Sequence, residues 1–223
     1  MAISTQLQLY NRALQICRET PLVTLEDNVP ARYDLDQVWA NGGVDYCLET
    51  GQWEFAMRAT QIDNDPSVTP PWGYAYGFSK PQDWLMTVAT AADEFFRSPM
   101  TRFVDEAGYW WSDTTPLYIR YVSNSINYGG NMGLWPPSFG EYVAQYFASC
   151  VVGKISKSSE VVTLVLGDGN QKRGSLHAAK MEALNRCAMS GPTEFFAQGA
   201  WSRARNRFPN RRDGGNITGP LLG

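Results

Sequence analysis

The stretch ARYDLDQVWANGGVDYCLETGQWEFAMRATQI, residues 31–62, contains the change of hydrophobic period that decides the fold. Over residues 31–50 apolar side chains recur at three- and four-residue steps, which is one stripe of a helix. From Trp53 to Met57 they alternate with polar side chains, as in a half-buried strand. The stretch therefore predicts a long helix that leads directly into a sheet.

Two adjacent glycines, Gly42 and Gly43, stand inside this predicted helix. Each costs about 1 kcal/mol relative to alanine in a helix interior. The pair indicates either a bend or the close approach of another backbone, and a bend is the simpler interpretation.

Three further helices are predicted from apolar stripes, over residues 5–18, 138–156 and 159–189. Ser138 and Glu141 have the spacing of a capping box at the start of the third helix in the chain. The segment 159–189 contains glycines near its middle, which predict a helical hairpin, although a β-hairpin at its start is an alternative.

Residues 53–123 show the two-residue alternation of strands, four to six in number. The segment 103–111 predicts a hairpin that turns at residues 106–108. We expect an α+β fold: a four-helix bundle-like body, made of two N-terminal helices and a C-terminal helical pair, with an inserted antiparallel β region.

The charge distribution divides the chain into a domain over residues 1–190 and an extended basic arm over residues 191–223. Five arginines stand against Glu194 and Asp213 in the arm, which gives it a net charge of +3, whereas the rest of the chain carries −6. The segment is too poor in apolar residues to form a core of its own. Its candidate docking residues are Phe195, Phe196, Trp201, Arg203, Arg205, Arg207, Phe208, Arg211 and Arg212.

The start of the chain lacks the basic segment and apolar block of a signal peptide, so we expect synthesis in a cytoplasm. No apolar run approaches the roughly 18 residues needed to cross a bilayer, so no membrane partner is expected. The four cysteines are widely spaced and sit beside apolar residues, which predicts reduced core thiols.

Catalytic motifs are missing from the sequence, and we expect no catalytic residue, no metal and no cofactor. His177, the only histidine, has no ligand-type residue four positions later. Two alternatives remain open. Glu54 and Asp83 would serve a glycoside hydrolase acting on peptidoglycan, and Trp110 and Trp111 would stack sugars in a carbohydrate-binding virion component.

The order of several short segments resembles the head-to-tail adaptor family of tailed bacteriophages, called tail tubular protein A in short-tailed phages. The resemblance covers roughly residues 8–190, and no single motif carries it. The matching segments are residues 11–17 (NRALQIC), 24–26 (TLE), 51–56 (GQWEFA), 78–85 (FSKPQDWL), 103–109 (FVDEAGY), 117–121 (LYIRY) and 135–139 (WPPSF).

This resemblance implies a ring, typically of twelve copies, beneath the portal of the capsid. The ring would join the capsid to a tail or nozzle protein in the neck of the virion, and DNA would pass through its lumen without sequence-specific binding. Helices would form the ring body and the β region would face the tail.

On this interpretation the arm docks on the portal and the period change at Trp53 marks the joint between ring body and β region. Trp53 and Phe55 are expected to be buried at that joint. The ring interface is predicted at Gly42, Gly43, Glu54 and Arg58, and the tail-side surface at Asp105, Glu106, Tyr109 and Trp110.

Overall fold

A computed structural model describes residues 3–156, 158–167 and 174–191. These residues form six α-helices and six β-strands, so the fold mixes helices with antiparallel sheets. The helices are α1 (Gln6–Ile16), α2 (Pro30–Ala40), α3 (Gly43–Glu49), α4 (Pro137–Ile155), α5 (Ser159–Leu166) and α6 (Ser175–Ser190). The strands are β1 (Met57–Ile62), β2 (Tyr76–Ser79), β3 (Trp84–Ala91), β4 (Phe103–Glu106), β5 (Tyr109–Ser112) and β6 (Leu117–Ser123).

Helix α4 is the centre of the helical body, because α1, α2, α3, α5 and α6 all pack against it. Phe139, Val143 and Phe147 of α4 are buried in this core. The arrangement is a central helix surrounded by shorter ones. The predicted bundle of four comparable helices is therefore not confirmed.

The predicted helix over residues 31–50 is wrong as a single element. It divides into α2 and α3 at Gly42, whose φ of 77° lies in the left-handed region. The bend interpretation of the glycine pair is confirmed. Close packing occurs as well, because a Cβ on Gly43 would lie 3.2 Å from Phe147 Cε2.

Two other local predictions are also wrong, and one alternative is excluded. Residues Glu54–Ala56 form a short 3₁₀ helix, so the first strand begins at Met57 and not at Trp53. The capping box is not formed, since α4 starts after Pro136 without a side-chain cap and Glu141 pairs with Arg12 instead. The start of the segment 159–189 is the helix α5 and not a β-hairpin.

The strands form two three-stranded antiparallel sheets. Sheet 1 has the order β1-β6-β3, and sheet 2 has the order β2-β5-β4. Leu117, Ile119 and Tyr121 of β6 belong to a second core shared with sheet 2, while Val122 reaches the core of the helical body. Sheet 1 therefore lies between the helices and sheet 2.

The predicted hairpin turn at residues 106–108 is confirmed. Strands β4 and β5 pair up to Glu106 and Tyr109. Ala107 and Gly108 both have positive φ, 48° and 84°, as a tight two-residue hairpin turn requires.

Candidate assembly surfaces

Sheet 1 is fastened at its helix-side end by a network around the Asp83 carboxylate. This carboxylate accepts hydrogen bonds from Arg58 Nη1 at 2.9 Å, Ser123 Oγ at 2.5 Å and Tyr121 OH at 3.1 Å. Burial opposes the charged form of Asp83, but the bonds from Ser123, Arg58 and Tyr121 outweigh it and hold the pKa below its usual value. The network ties β1 and β6 to the turn that precedes β3.

This network corrects the prediction for Arg58, which was expected to be free to meet a neighbouring copy. Its guanidinium pairs with Asp83 and lies 5.8 Å from the ring centre of Tyr128. Glu54 is exposed, as a contact with another copy requires. One of its carboxylate oxygens accepts a hydrogen bond from Ser190 Oγ at 3.0 Å, in a groove of about 630 Å³ between α4 and α6.

The rest of the joint agrees with the prediction in part. Trp53 is buried, and its ring lies 4.8 Å from that of Phe139. Phe55 is only half-buried, although it packs on the same core. Gly43 is buried against Phe147 within the chain, so it has little surface to offer a neighbour.

A second network connects the two sheets through Lys80, whose side chain is only 8% exposed. Its ammonium lies 3.5 Å from the ring centre of Trp84 and pairs with the Asp105 carboxylate. Thr87 Oγ1 and Trp110 Nε1 both donate to the same carboxylate, at 2.7 and 3.0 Å. Burial opposes the charge on Asp105, but the bonds from Lys80 and Thr87 lower its pKa overall.

These contacts change the predicted tail-side surface. Trp110 is fully buried and cannot contact a partner, and Asp105 is engaged in the network between the sheets. Glu106 remains exposed at the hairpin turn. Tyr109 is half-buried and stacks on Trp111, with ring centres 5.4 Å apart.

The strongest exposed aromatic feature is Trp72, which lies outside every predicted site. Its side chain is fully exposed in the loop between β1 and β2. Phe95, in the loop after β3, is 67% exposed. The pairing of β6 with β1 and β3 places Ile62, Ala91 and Leu117 at the same edge of sheet 1, namely the edge formed by these ends of its three strands.

That edge is the one farther from the helices along the strands. The opposite strand ends, Met57 and Ser123, adjoin the segments that lead from α3 and into α4. Trp72 lies at this end because the carbonyl of the next residue, Gly73, accepts from Arg102, which pairs with Asp113 in the segment that leads from β5 to Leu117. Phe95 follows shortly after Ala91. We call the strand ends that carry Trp72 and Phe95 the distal edge. A fully exposed tryptophan there is a feature of binding surfaces, because Trp is enriched among the residues that dominate interfaces.

The structure shows the surroundings of the residues named for the alternative activities, besides Glu54. Trp110 and Trp111 are both buried, so neither ring is accessible to a sugar. The Asp83 carboxylate is committed to three donors. His177 is half-buried on α6, where it lines a groove with three tyrosines.

The cysteines behave as predicted in part. All four are free thiols, and Cys17 and Cys47 are buried. Cys150 is exposed and Cys187 is partly exposed, so the prediction of a core position is wrong for Cys150. Among the described ranges no three potential ligand side chains gather at a metal-binding spacing, and no helix has the length and apolar character to span a bilayer.

All nine residues predicted for the portal-docking arm, from Phe195 to Arg212, lie outside the described residues. Trp72 was not among the predicted site residues, although its setting, Pro70-Pro71-Trp72-Gly73, is a turn signal that could have marked an exposed aromatic. Comparison of the chain with models of protein families and with curated proteins finds no match in either set.

Proposed function

We propose that this chain is a structural head-to-tail adaptor of a tailed phage, which forms a ring beneath the portal and joins capsid to tail around a DNA passage. The order of the short sequence segments, which resembles that of the adaptor family, supports this assignment. The observation that carries it in the structure is the placement of Trp72 at the distal edge, at the far end of sheet 1 from the helical body. A connector needs two ends that bind different partners, and a helical body at one end of sheet 1 with an exposed tryptophan at the other supports such a role.

In this proposal the helical body forms the ring and the distal edge faces the tail or nozzle protein. Trp72 and Phe95 replace the buried Trp110 as the aromatic contacts on that side. Glu106 is exposed, but it leaves the tail-side surface, because the β4–β5 turn lies beside Lys80, whose N–H donates to the Gly108 carbonyl, and Lys80 packs on Trp84 at the helix-side end of sheet 1. The arginine-rich arm serves the portal side, in keeping with its charge.

Negative-stain microscopy of virions and of reconstituted portal tests the assignment. We expect a ring of this protein in the neck and on isolated portal. Its absence from the neck, or portal that stays bare at saturating protein, would refute the proposal.

Two variants test the orientation. Trp72→Ser should leave the ring on the portal but abolish attachment of the tail protein. Ile126→Ser, which removes a comparably exposed side chain at 76% from the other end of sheet 1, is the matched control and should bind the tail normally. Deletion of residues 195–223 should abolish portal attachment and leave the fold intact.

A further inference from the structure

An aromatic groove of about 580 Å³ opens on the helical body between α3, α4, α5 and α6. The rings of Tyr46 and Tyr146 form one wall and stack with their centres 4.8 Å apart. Tyr46 is 51% exposed and Leu166 is 54% exposed, so the wall and rim are open to solvent. Exposed aromatic rings of this kind suit a contact with another molecule, because Tyr is enriched at protein interfaces.

The polar groups of this groove favour an acidic occupant. Lys180 and His177 line it, together with the phenol of Tyr142, and the lining residues that the structure describes include no carboxylate. A segment that combines apolar side chains with a carboxylate would match this surface in both respects.

The connection between α1 and α2 provides such a segment in residues 22–27, which we call the acidic loop. Its ends are fixed by side chains. Asn11 binds both the N–H and the C=O of Leu22, at 2.7 and 3.0 Å. The Asp27 carboxylate accepts from the N–H groups of Val23 at 2.7 Å and Thr24 at 3.2 Å. A loop held in this way loses little conformational entropy on binding.

The acidic loop exposes apolar side chains together with a carboxylate. Val23 is 82% exposed and Leu25 is 37% exposed, and Glu26 stands exposed beside them. The segment contains Glu26 and Asp27 and no lysine or arginine. Arg32 lies beside the loop, where it donates to the Leu25 carbonyl at 3.1 Å and interacts electrostatically with the Asp27 carboxylate.

The loop and the groove lie on different sides of α4. Tyr146 lines the groove, whereas Ala148 faces α1, where its carbonyl accepts from the Cys17 thiol at 3.8 Å. Two residues along a helix correspond to a rotation of about 200° and a rise of about 3 Å. Cys17 is the C-cap residue that follows α1, and the acidic loop begins five residues later.

From this placement we infer that copies of this chain join by inserting the acidic loop of one copy into the aromatic groove of the next. The two surfaces differ, so the contact is heterologous and repeats around a ring. The inference rests on the proposed adaptor function and names how its ring closes. Val23 and Leu25 pack against Tyr46 and Leu166, and Glu26 pairs with Lys180.

A carbodiimide cross-link tests the contact directly, because it joins a carboxylate to an amine only where the two touch. We would mix unlabelled and nitrogen-15-labelled full-length chain, cross-link it at the highest concentration reached in solution, and identify joined peptides by mass spectrometry. The expected product joins Glu26 to Lys180 in mixed-isotope pairs, which proves that it links two copies. A chain that stays monomeric, or an oligomer without this product, would overturn the inference.

Self-association of variants, measured by analytical ultracentrifugation, supplies the energetic test. Val23→Ser with Leu25→Ser should weaken association at least about ten-fold, as expected for loss of central apolar contacts. Glu26→Lys and Lys180→Glu should each weaken it similarly, and a mixture of the two variants should regain association. All of these positions are at least partly exposed, so circular dichroism should show an unchanged fold.

Glu106→Lys, a charge reversal on an exposed residue of the β4–β5 hairpin, is the matched control and should associate like the unaltered chain. If the loop and groove variants associate as strongly as the unaltered chain, this contact is refuted and the adaptor proposal still stands. Absence of the protein from the virion neck refutes the adaptor proposal whether or not the contact forms.

Discussion

Replacing Asp83 by alanine removes the acceptor shared by Arg58, Ser123 and Tyr121 at the helix-side end of sheet 1. Arg58 is 37% exposed and can turn to water, so its loss is small. The Ser123 and Tyr121 side chains are buried and cannot turn to water, although Ser123 Oγ keeps the bond that it accepts from the Ser125 N–H at 3.1 Å. An unpaired buried polar group costs about 1–3 kcal/mol, so we expect a loss of about 3 kcal/mol in the free energy of unfolding.

For a chain of this size a loss of 3 kcal/mol corresponds to a fall in Tm of roughly 6–12 °C. Urea denaturation followed by tryptophan fluorescence measures the free energy, and calorimetry measures Tm. Asp63→Ala is the control and should change the free energy of unfolding by less than about 0.5 kcal/mol, because within the described part of the chain that exposed carboxylate accepts only from Gln61 Nε2, at 3.3 Å. A loss below 1 kcal/mol for Asp83→Ala would show that the network does not hold the sheet.

The same carboxylate makes stability depend on pH. Its pKa is lower in the folded chain than in the unfolded one, where an aspartate titrates near 3.9. The stabilisation is therefore fully present above about pH 5 and is lost as the pH falls through the lowered folded pKa. Asp83→Asn should flatten the acid limb of a stability profile between about pH 5 and 2, and an unchanged limb would contradict this origin.

Gly43→Ala should destabilise the fold by about 1–3 kcal/mol in urea denaturation, because the new Cβ would lie 2.8 Å from a backbone oxygen. Gly153→Ala on the open face of α4 should instead stabilise it by up to about 1 kcal/mol, and equal effects of the two would refute the packing argument. Trp110→Ala should cost about 3–5 kcal/mol, since it empties the core between the sheets, whereas Trp72→Ala should leave Tm unchanged. A fall in Tm for Trp72→Ala would mean that its ring packs within the chain.

The features that could be predicted from the sequence are those set by local pattern. Helix α4 was expected over residues 138–156 and occupies Pro137–Ile155, because its apolar stripe is long and continuous. The β4–β5 hairpin followed from the turn residues Ala107 and Gly108. In both cases the interactions that decide the structure lie within a few residues of each other.

The features that could not be predicted depend on distant partners. Glu141 has the spacing for a capping box, but Arg12 offers two charge-assisted hydrogen bonds at 2.8 Å from 129 residues away. Trp110 was predicted from the sequence to lie on the surface, but in the structure the Lys80 ammonium and the Asp105 carboxylate lie against its side chain. The division of the strands into two sheets likewise arises from the pairing of β6 with β3, which local alternation does not specify.

The break at Gly42 has a consequence for assembly that a continuous helix would not allow. Tyr46 follows Leu35 by eleven residues, so in one straight helix the two side chains would lie within about 20° of each other on the same face. Leu35 is completely buried, and Tyr46 would be buried with it. The left-handed conformation of Gly42 changes the direction of α3, and as a result Tyr46 is half-exposed and stacks on Tyr146. The glycine pair was predicted to bring neighbouring copies together through close backbone packing; in the contact inferred above it acts instead by turning an aromatic side chain outward to form the wall of the groove.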